Sequence, residues 1–263
     1  MKKRCGTSSL LDGLRVGVSG TRATTTLTIT SASKMIRAVI FDLDGTLVDT
    51  EPLHFSAFNE VLRDDGIEIG FDDYTSRLIG LNDRDCFATV LRENRKDAGE
   101  KHVANLIARK TVVYQAIIAE RDVLYPGAEK FVRDCAHRFP LMIATGTLHA
   151  EAETILRRSG LRGLFLDVIA AEDVERGKPE PDGFIAALGR IGYLLRQRDP
   201  VLAGECLVVE DTQAGIEAAH RAGMKVLALC HIAPASDLAA ADVVRPSISG
   251  LDLDDVIHAL RGR

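Results

Sequence analysis

The chain has 263 residues, 46% of them hydrophobic and 27% charged, with a formal net charge of -5. That length holds one α/β domain with a smaller insert, and the composition supplies ample core material. The negative balance without a basic stripe argues against a nucleic-acid partner. No apolar stretch reaches the roughly 18 residues needed to span a bilayer, so a membrane is not expected as a partner either.

Residues 1–34 differ in kind from the rest: they are rich in Ser and Thr, basic, and carry one acid, Asp12. They read as a disordered tail or as a non-native start with Met35 the natural first residue; a transit peptide is the third reading. The five cysteines, Cys5, Cys86, Cys135, Cys206 and Cys230, include no CxxC pair, which favours reduced thiols. A cytoplasmic monomer is expected, with an organelle as the alternative if the first residues are a transit peptide.

Apolar strand candidates occur at Ile36 to Phe41, Leu141 to Ala144, Leu166 to Ala170, Cys206 to Val209 and Val226 to Leu229, separated by helical patterns. This rhythm predicts βα units on a parallel, Rossmann-like sheet, an α/β fold. Between Thr50 and Tyr125 only helical periodicity is visible, too long a stretch for a loop. It predicts an all-helical domain over residues 50–124, inserted into a core made of residues 35–49 and 125–263. Pro126 and Gly127 restart a helix on return to the core, and Gly192 to Glu205 reads as a surface loop or frayed helix end.

Chemistry concentrates where strands end. The run Val39 to Thr50, VIFDLDGTLVDT, closes a strand with Asp42 and Asp44, two residues apart and so tending to project the same way. The strand at Leu141 ends in Thr145, Gly146 and Thr147. The strand at Leu166 is followed by Lys178 in GKPEPD, and the strand at Cys206 ends in Glu210 and Asp211. In a parallel sheet all four reach one edge, where ligands of such folds bind. Acids gathered there require a cation to stay ionised. Oxygen ligands completed by water suit Mg²⁺, whose shell a substrate phosphate would complete. Lys178 then supplies a second cation for that phosphate, and Thr145 and the Gly146 amide supply hydrogen bonds.

Each residue has a plainer reading as well. Asp42 and Asp44 are common turn residues, Glu210 and Asp211 could cap the helix near Gln213, and Lys178 could be a solvated loop lysine. His54 could face the site or pack inside the insert; His149 could touch substrate or lie on the surface.

Taken together, FDLDGT at 41–46, Thr145 after its strand, GKPEPD around Lys178 and EDTQAG at 210–215 resemble the haloacid dehalogenase-like hydrolases, in order and spacing from residue 35 to the end. The helical insert looks like that superfamily's type-one cap, and DTEPLH, Asp49 to His54, looks like its phosphatase and β-phosphoglucomutase branch. The resemblance implies Asp42 as nucleophile for a phosphoryl group. Asp44 would be general acid and then general base, and Thr145 and Lys178 would hold the phosphoryl oxygens. The Mg²⁺ ligands would be Asp42, the Asp44 backbone carbonyl, Asp211, and Glu210 directly or through water.

The cap would choose the leaving group through Arg77 to Asp85, with Arg84 and His54 as substrate contacts. Against the mutase pattern, the expected lysine and arginine fall on Ile79 and Asp83, and Leu148 stands where a lysine would be. The expectation is therefore hydrolysis of a small phosphorylated metabolite, a sugar or sugar-acid phosphate, with a β-phosphoglucomutase-type reaction as the alternative. A dehalogenase would lack Asp44, and a phospho-receiver domain would lack the insert.

Overall fold

The structure, a computed structural model, describes residues 35–78, 83–196 and 198–261. The expectation for residues 1–34, and the Ile79 to Asn82 stretch of the expected specificity loop, lie outside the described residues. Short runs of aliphatic residues form six strands: β1 (Ala38–Phe41), β2 (Leu141–Ala144), β3 (Phe165–Ile169), β4 (Cys206–Glu210), β5 (Lys225–Leu229) and β6 (Val243–Arg245). They pair in parallel in the order β3-β2-β1-β4-β5-β6. Helices cover both faces, which is why the strands read as continuous apolar runs rather than alternating ones. Because β2 lies on one side of β1 and β4 on the other, the winding reverses at β1, and the crevice this opens lies at the carboxyl ends of the strands.

Residues of opposite parity face opposite layers. Val39, Phe41, Ile143, Leu207, Val209 and Leu227 pack against α5 (Ala128–Ala136), α6 (His149–Arg158) and α9 (Leu253–Arg261). Ala38, Ile40, Met142, Val208 and Val226 pack against α7 (Asp182–Leu195) and α8 (Gln213–Arg221). Phe41 sits at the centre of the first layer, its ring meeting the edges of Phe131 and Phe165 at 6.2 and 6.0 Å.

Several elements depart from expectation. β1 begins at Ala38 rather than Ile36, β3 is shifted one residue earlier, β4 takes in Glu210, and β6 was not anticipated. The helical run α7 continues through Gly192 to Leu195, because the buried Ile191 anchors its last turn despite the glycine. Beyond Leu195 the described chain is irregular up to a single turn at Ala203–Glu205.

Between β1 and β2 lie α1 (Glu51–Leu62), α2 (Phe71–Arg77), α3 (Asp83–Glu93) and α4 (Glu100–Ile118), with no strand among the described residues there. They form the inserted helical cap around a separate apolar cluster, in which Phe58 stacks on Phe87 at 4.4 Å. Its base is shared: Leu53 and Ala57 of α1 and Tyr114 and Ile118 of α4 belong to the cluster of the sheet's first layer.

The two connections run side by side, with Val48 bridged to Leu124 and the Asp49 amide donating to the Val123 carbonyl at 2.8 Å. At the second, the Arg158 guanidinium at the end of α6 donates to the carbonyls of Ala119, Glu120 and Arg121 at 2.5, 2.5 and 2.9 Å. No described helix is long and apolar enough to cross a membrane.

Phe87 is fully buried. Phe87→Ala is expected to destabilise the protein by about 3–5 kcal/mol through the cavity it leaves. Urea unfolding checks this, and a loss below about 1 kcal/mol would contradict the packing described.

Candidate active site

The crevice at the end of β1 opens into a cleft of about 830 Å³ between sheet edge and cap. At its sheet end the chain turns sharply after Phe41. The Asp42 amide donates to the Val209 carbonyl at 3.0 Å, keeping β1 against β4, and the Gly45 amide donates to the Val48 carbonyl at 2.8 Å, closing the turn. Gly45 has φ +74°, and a Cβ there would lie 2.2 Å from Asp211 Oδ2. His231 Nδ1 donates to the Gly45 carbonyl at 2.8 Å. That tautomer is set by Ile248, whose amide donates to Nε2 at 3.1 Å.

Three expected residues meet at one atom. Lys178 Nζ lies 2.5 Å from Asp42 Oδ1 and 2.5 Å from Glu210 Oε1. Burial opposes its charge, but the two carboxylates outweigh this and hold the ammonium protonated. Glu210 is fully buried, and its Oε2 accepts from the amides of Asp211 and Thr212 and from the Thr212 hydroxyl at 2.7–2.9 Å. Gly215 passes so close beneath it that a Cβ would fall 1.8 Å from Oε1. The helix cap considered for Glu210 and Asp211 is supplied instead by Thr212, whose hydroxyl accepts from the Gly215 amide at 3.0 Å.

Asp211 receives the Thr46 hydroxyl on Oδ1 at 2.8 Å, while its Oδ2 is buried with no partner. Burial, then the charge of Glu210, pushes its carboxyl up to about 7. Asp42 is likewise pushed well above the carboxylate range, by burial first; Lys178 opposes this, and Glu210 and Asp211 add to it. Among the described residues no three side chains form a ready-made metal cage. An orphaned carboxylate oxygen on Asp211, with burial opposing the charge of both Asp211 and Asp42, nevertheless fits a hard cation that takes water and carbonyl oxygens as its other ligands.

Asp44 points differently. Its carboxylate accepts from Thr50 Oγ1 at 2.5 Å and from the Thr147 hydroxyl, which joins the first connection to the loop after β2. Thr145 is buried and donates to the Thr147 hydroxyl at 3.1 Å, so a chain of hydroxyls ends on Asp44. Gly146 lines the cleft with open space about it.

On the cap side His54 does both things foreseen for it: its ring stacks on Tyr114 at 4.1 Å and it lines the cleft. Burial and the Lys110 charge push it down to about 4, so it is neutral and its Nδ1 accepts from Lys110 Nζ at 3.3 Å. Arg84 requires correction. It is exposed, pairs with Glu100 at 3.2 Å and does not line the cleft. Consecutive helix residues point about 100° apart, so α3 turns Arg84 outward by turning Asp83 inward. The inward cation is Lys110 of α4, 5% exposed and bonded to Asp83. His149 starts α6 at the surface.

Residue spacing did not disclose Lys110, Thr50, Glu51, Tyr74 or Glu151 as cleft or site residues, and it placed Thr147 at the strand-end edge without giving it a role. Glu51 accepts from the Tyr74 hydroxyl at 2.7 Å, and Glu151, in the first turn of α6, lines the cleft with Thr145 and Thr147. A residue on the first turn of the helix that follows a strand-end motif was the signal available for Glu51 and Glu151.

Residues 36–223 match the model of the haloacid dehalogenase-like hydrolases, and the chain belongs to that family of enzymes. It is 32% identical over 189 residues to the fructose-1-phosphate phosphatase of Escherichia coli (strain K12), covering 71% of this chain and 92% of that one. It is 31% identical over 191 residues to a phosphorylated carbohydrates phosphatase of Thermotoga maritima, covering 72% and 83%. A crystal structure of protein CbbY from Rhodobacter sphaeroides, in complex with xylulose-(1,5)bisphosphate, superposes with a TM-score of 0.69 at 28% identity, covering 82% and 96%.

The glycine under Glu210 gives a prediction of sign. Gly189, exposed on α7 with nothing within 4 Å of a Cβ, is expected to gain about 0.5–1 kcal/mol on Gly189→Ala. Gly215→Ala, also in a helix, is expected to lose about 1–3 kcal/mol by overpacking against Glu210. Thermal unfolding of the two variants should shift in opposite directions.

Proposed function

We propose that this hydrolase is a Mg²⁺-dependent phosphatase that cleaves a small phosphorylated sugar through an aspartyl-phosphate on Asp42. The observation that carries the reading is the convergence of Lys178, Asp42 and Glu210 beside the unpartnered Asp211 Oδ2. Asp42, Asp211 and the Asp44 backbone carbonyl would hold the cation, with Glu210 direct or through water. Bound there, a divalent ion supplies the charge that lets the buried acids ionise and polarises the phosphoryl oxygens.

The chain's own residues do the rest. The Asp42 carboxylate attacks phosphorus while the ester P–O bond breaks, and Asp44 gives its proton to the departing alkoxide oxygen. Lys178, Thr145 and the Gly146 amide hold the non-bridging oxygens in place. Asp44, now ionised, takes a proton from the water that attacks the aspartyl-phosphate, releasing phosphate and restoring Asp42. The Thr50 and Thr147 hydroxyls fix Asp44 where both proton transfers occur. Hydrolysis is preferred to mutase chemistry because the only cation on the cap side among the described lining residues, Lys110, is already paired with Asp83, leaving none for a second phosphate.

The test is inorganic phosphate release across a panel of phosphorylated metabolites. Release should require Mg²⁺, stop on chelation, resume on resupply, and vanish in Asp42→Asn; activity surviving that substitution would refute the nucleophile. Asp44→Asn is expected to lower kcat roughly 10²–10⁴-fold, with phosphorylated enzyme accumulating after a rapid quench, and unimpaired turnover would remove its acid–base role.

A further inference from the structure

The half of the cleft beyond the phosphoryl site is unusual in its charges. Its lining includes Glu51, Asp83 and Glu151, with Asp44 at the junction, against one buried ammonium, Lys110. Arg77 and Arg84 of the cap are exposed and Arg109 is half-buried, and they pair with Asp73 and Glu93, with Glu100 and with Asp64. Lys110 is itself spent on Asp83 and His54.

Two polar groups in this half have no hydrogen-bond partner among the described residues. Glu151 is 9% exposed, and no described residue donates a hydrogen bond to its carboxyl, whereas Glu51 has Tyr74 and Asp83 has Lys110. The Tyr114 hydroxyl is 1% exposed and also unpartnered. Buried polar groups are ordinarily satisfied, so the Tyr114 hydroxyl marks a place where a ligand supplies the missing partner, and the Glu151 carboxyl, which faces the cleft, can receive a donor from the same ligand. A carboxyl acceptor asks for a donor, and a phenol offers both functions.

We propose that this wall selects phosphate monoesters whose remainder is uncharged and rich in hydroxyls, and that Glu151 sets the preference by accepting a hydroxyl hydrogen and repelling a second anion. The inference rests on the phosphatase reading and narrows its substrate class, excluding sugar-acid phosphates and bisphosphates. Burial, together with the charge of Asp44, pushes Glu151 up to about 7. The same desolvation and negative field that resist its own ionisation resist a substrate carboxylate or second phosphate, while a hydroxyl meets no such opposition.

Two matched pairs test this. Glucose 6-phosphate and 6-phosphogluconate differ at a carboxylate, and fructose 1-phosphate and fructose 1,6-bisphosphate differ in a second phosphate. The wild type is expected to favour the less charged member of each pair by about tenfold or more in kcat/KM. Glu151→Gln should narrow both ratios several-fold, and Glu151→Lys should narrow them further or invert them. Each ratio is taken on one preparation, so a loss of folded enzyme cancels. Equal or better turnover of the charged members by the wild type, or ratios unmoved by both substitutions, would overturn the selectivity while leaving the phosphatase reading intact. No phosphate from any of the four would overturn both together.

Discussion

Lys178 carries a positive charge into a space where Asp42, Glu210 and Asp211 are all buried, and the site keeps its shape because that charge is there. A buried acid left without its partner costs on the order of 3–5 kcal/mol. Three acids converging without any cation would therefore push the strand ends apart. The lysine reaches them only because the winding reverses at β1. Asp42 comes from β1 and Glu210 from its neighbour β4, while the loop after β3 returns across β2 to deliver the ammonium between them. The sheet order and the charge balance are thus two aspects of one constraint.

A second set of bonds ties chemistry to selectivity. Asp44 is held by a threonine from the connection to the cap and by another from the loop after β2. Asp44, Lys110 and Glu151 line the same cleft, so in the proposed reaction the proton donor and the wall that sorts the leaving group by charge would be neighbours; the field from Asp44 is part of what opposes ionisation of Glu151.

Much of this was legible in the residues, and the rest was hidden for physical reasons. Strands β1, β2, β4 and β5 are largely apolar runs of four or five residues ending in polar residues or turns, which a search for short apolar runs finds. β6 is three residues, Val243–Arg245, with too little length to carry a pattern, and α7 was shortened because Gly192 reads as a breaker when Ile191 is not known to be buried. The acids after β1 and at the end of β4 could be found because they close apolar runs, and Lys178, in the loop beyond β3, because of the GKPEPD pattern around it. Helix residues gave no such guide. Lys110 sits in a polar run of α4 that reads as solvated, and choosing Arg84 over Asp83 depended on a rotation of α3 that sequence does not encode locally. The hydroxyls of Thr50 and Thr147 acquire meaning only once two distant loops touch.

The grip of Arg158 on the three carbonyls after α4 has a mechanical consequence. Helix α6 is a rod about 15 Å long, beginning at the loop of Thr145 and Thr147 and ending on the polypeptide that leaves the cap. Because the two connections are themselves bonded edge to edge, the cap hangs from a short ribbon instead of two separate tethers. Any displacement of the cap about that ribbon would have to release the three carbonyls from Arg158 or carry the rod along, and with it the Thr147 hydroxyl on which Asp44 leans.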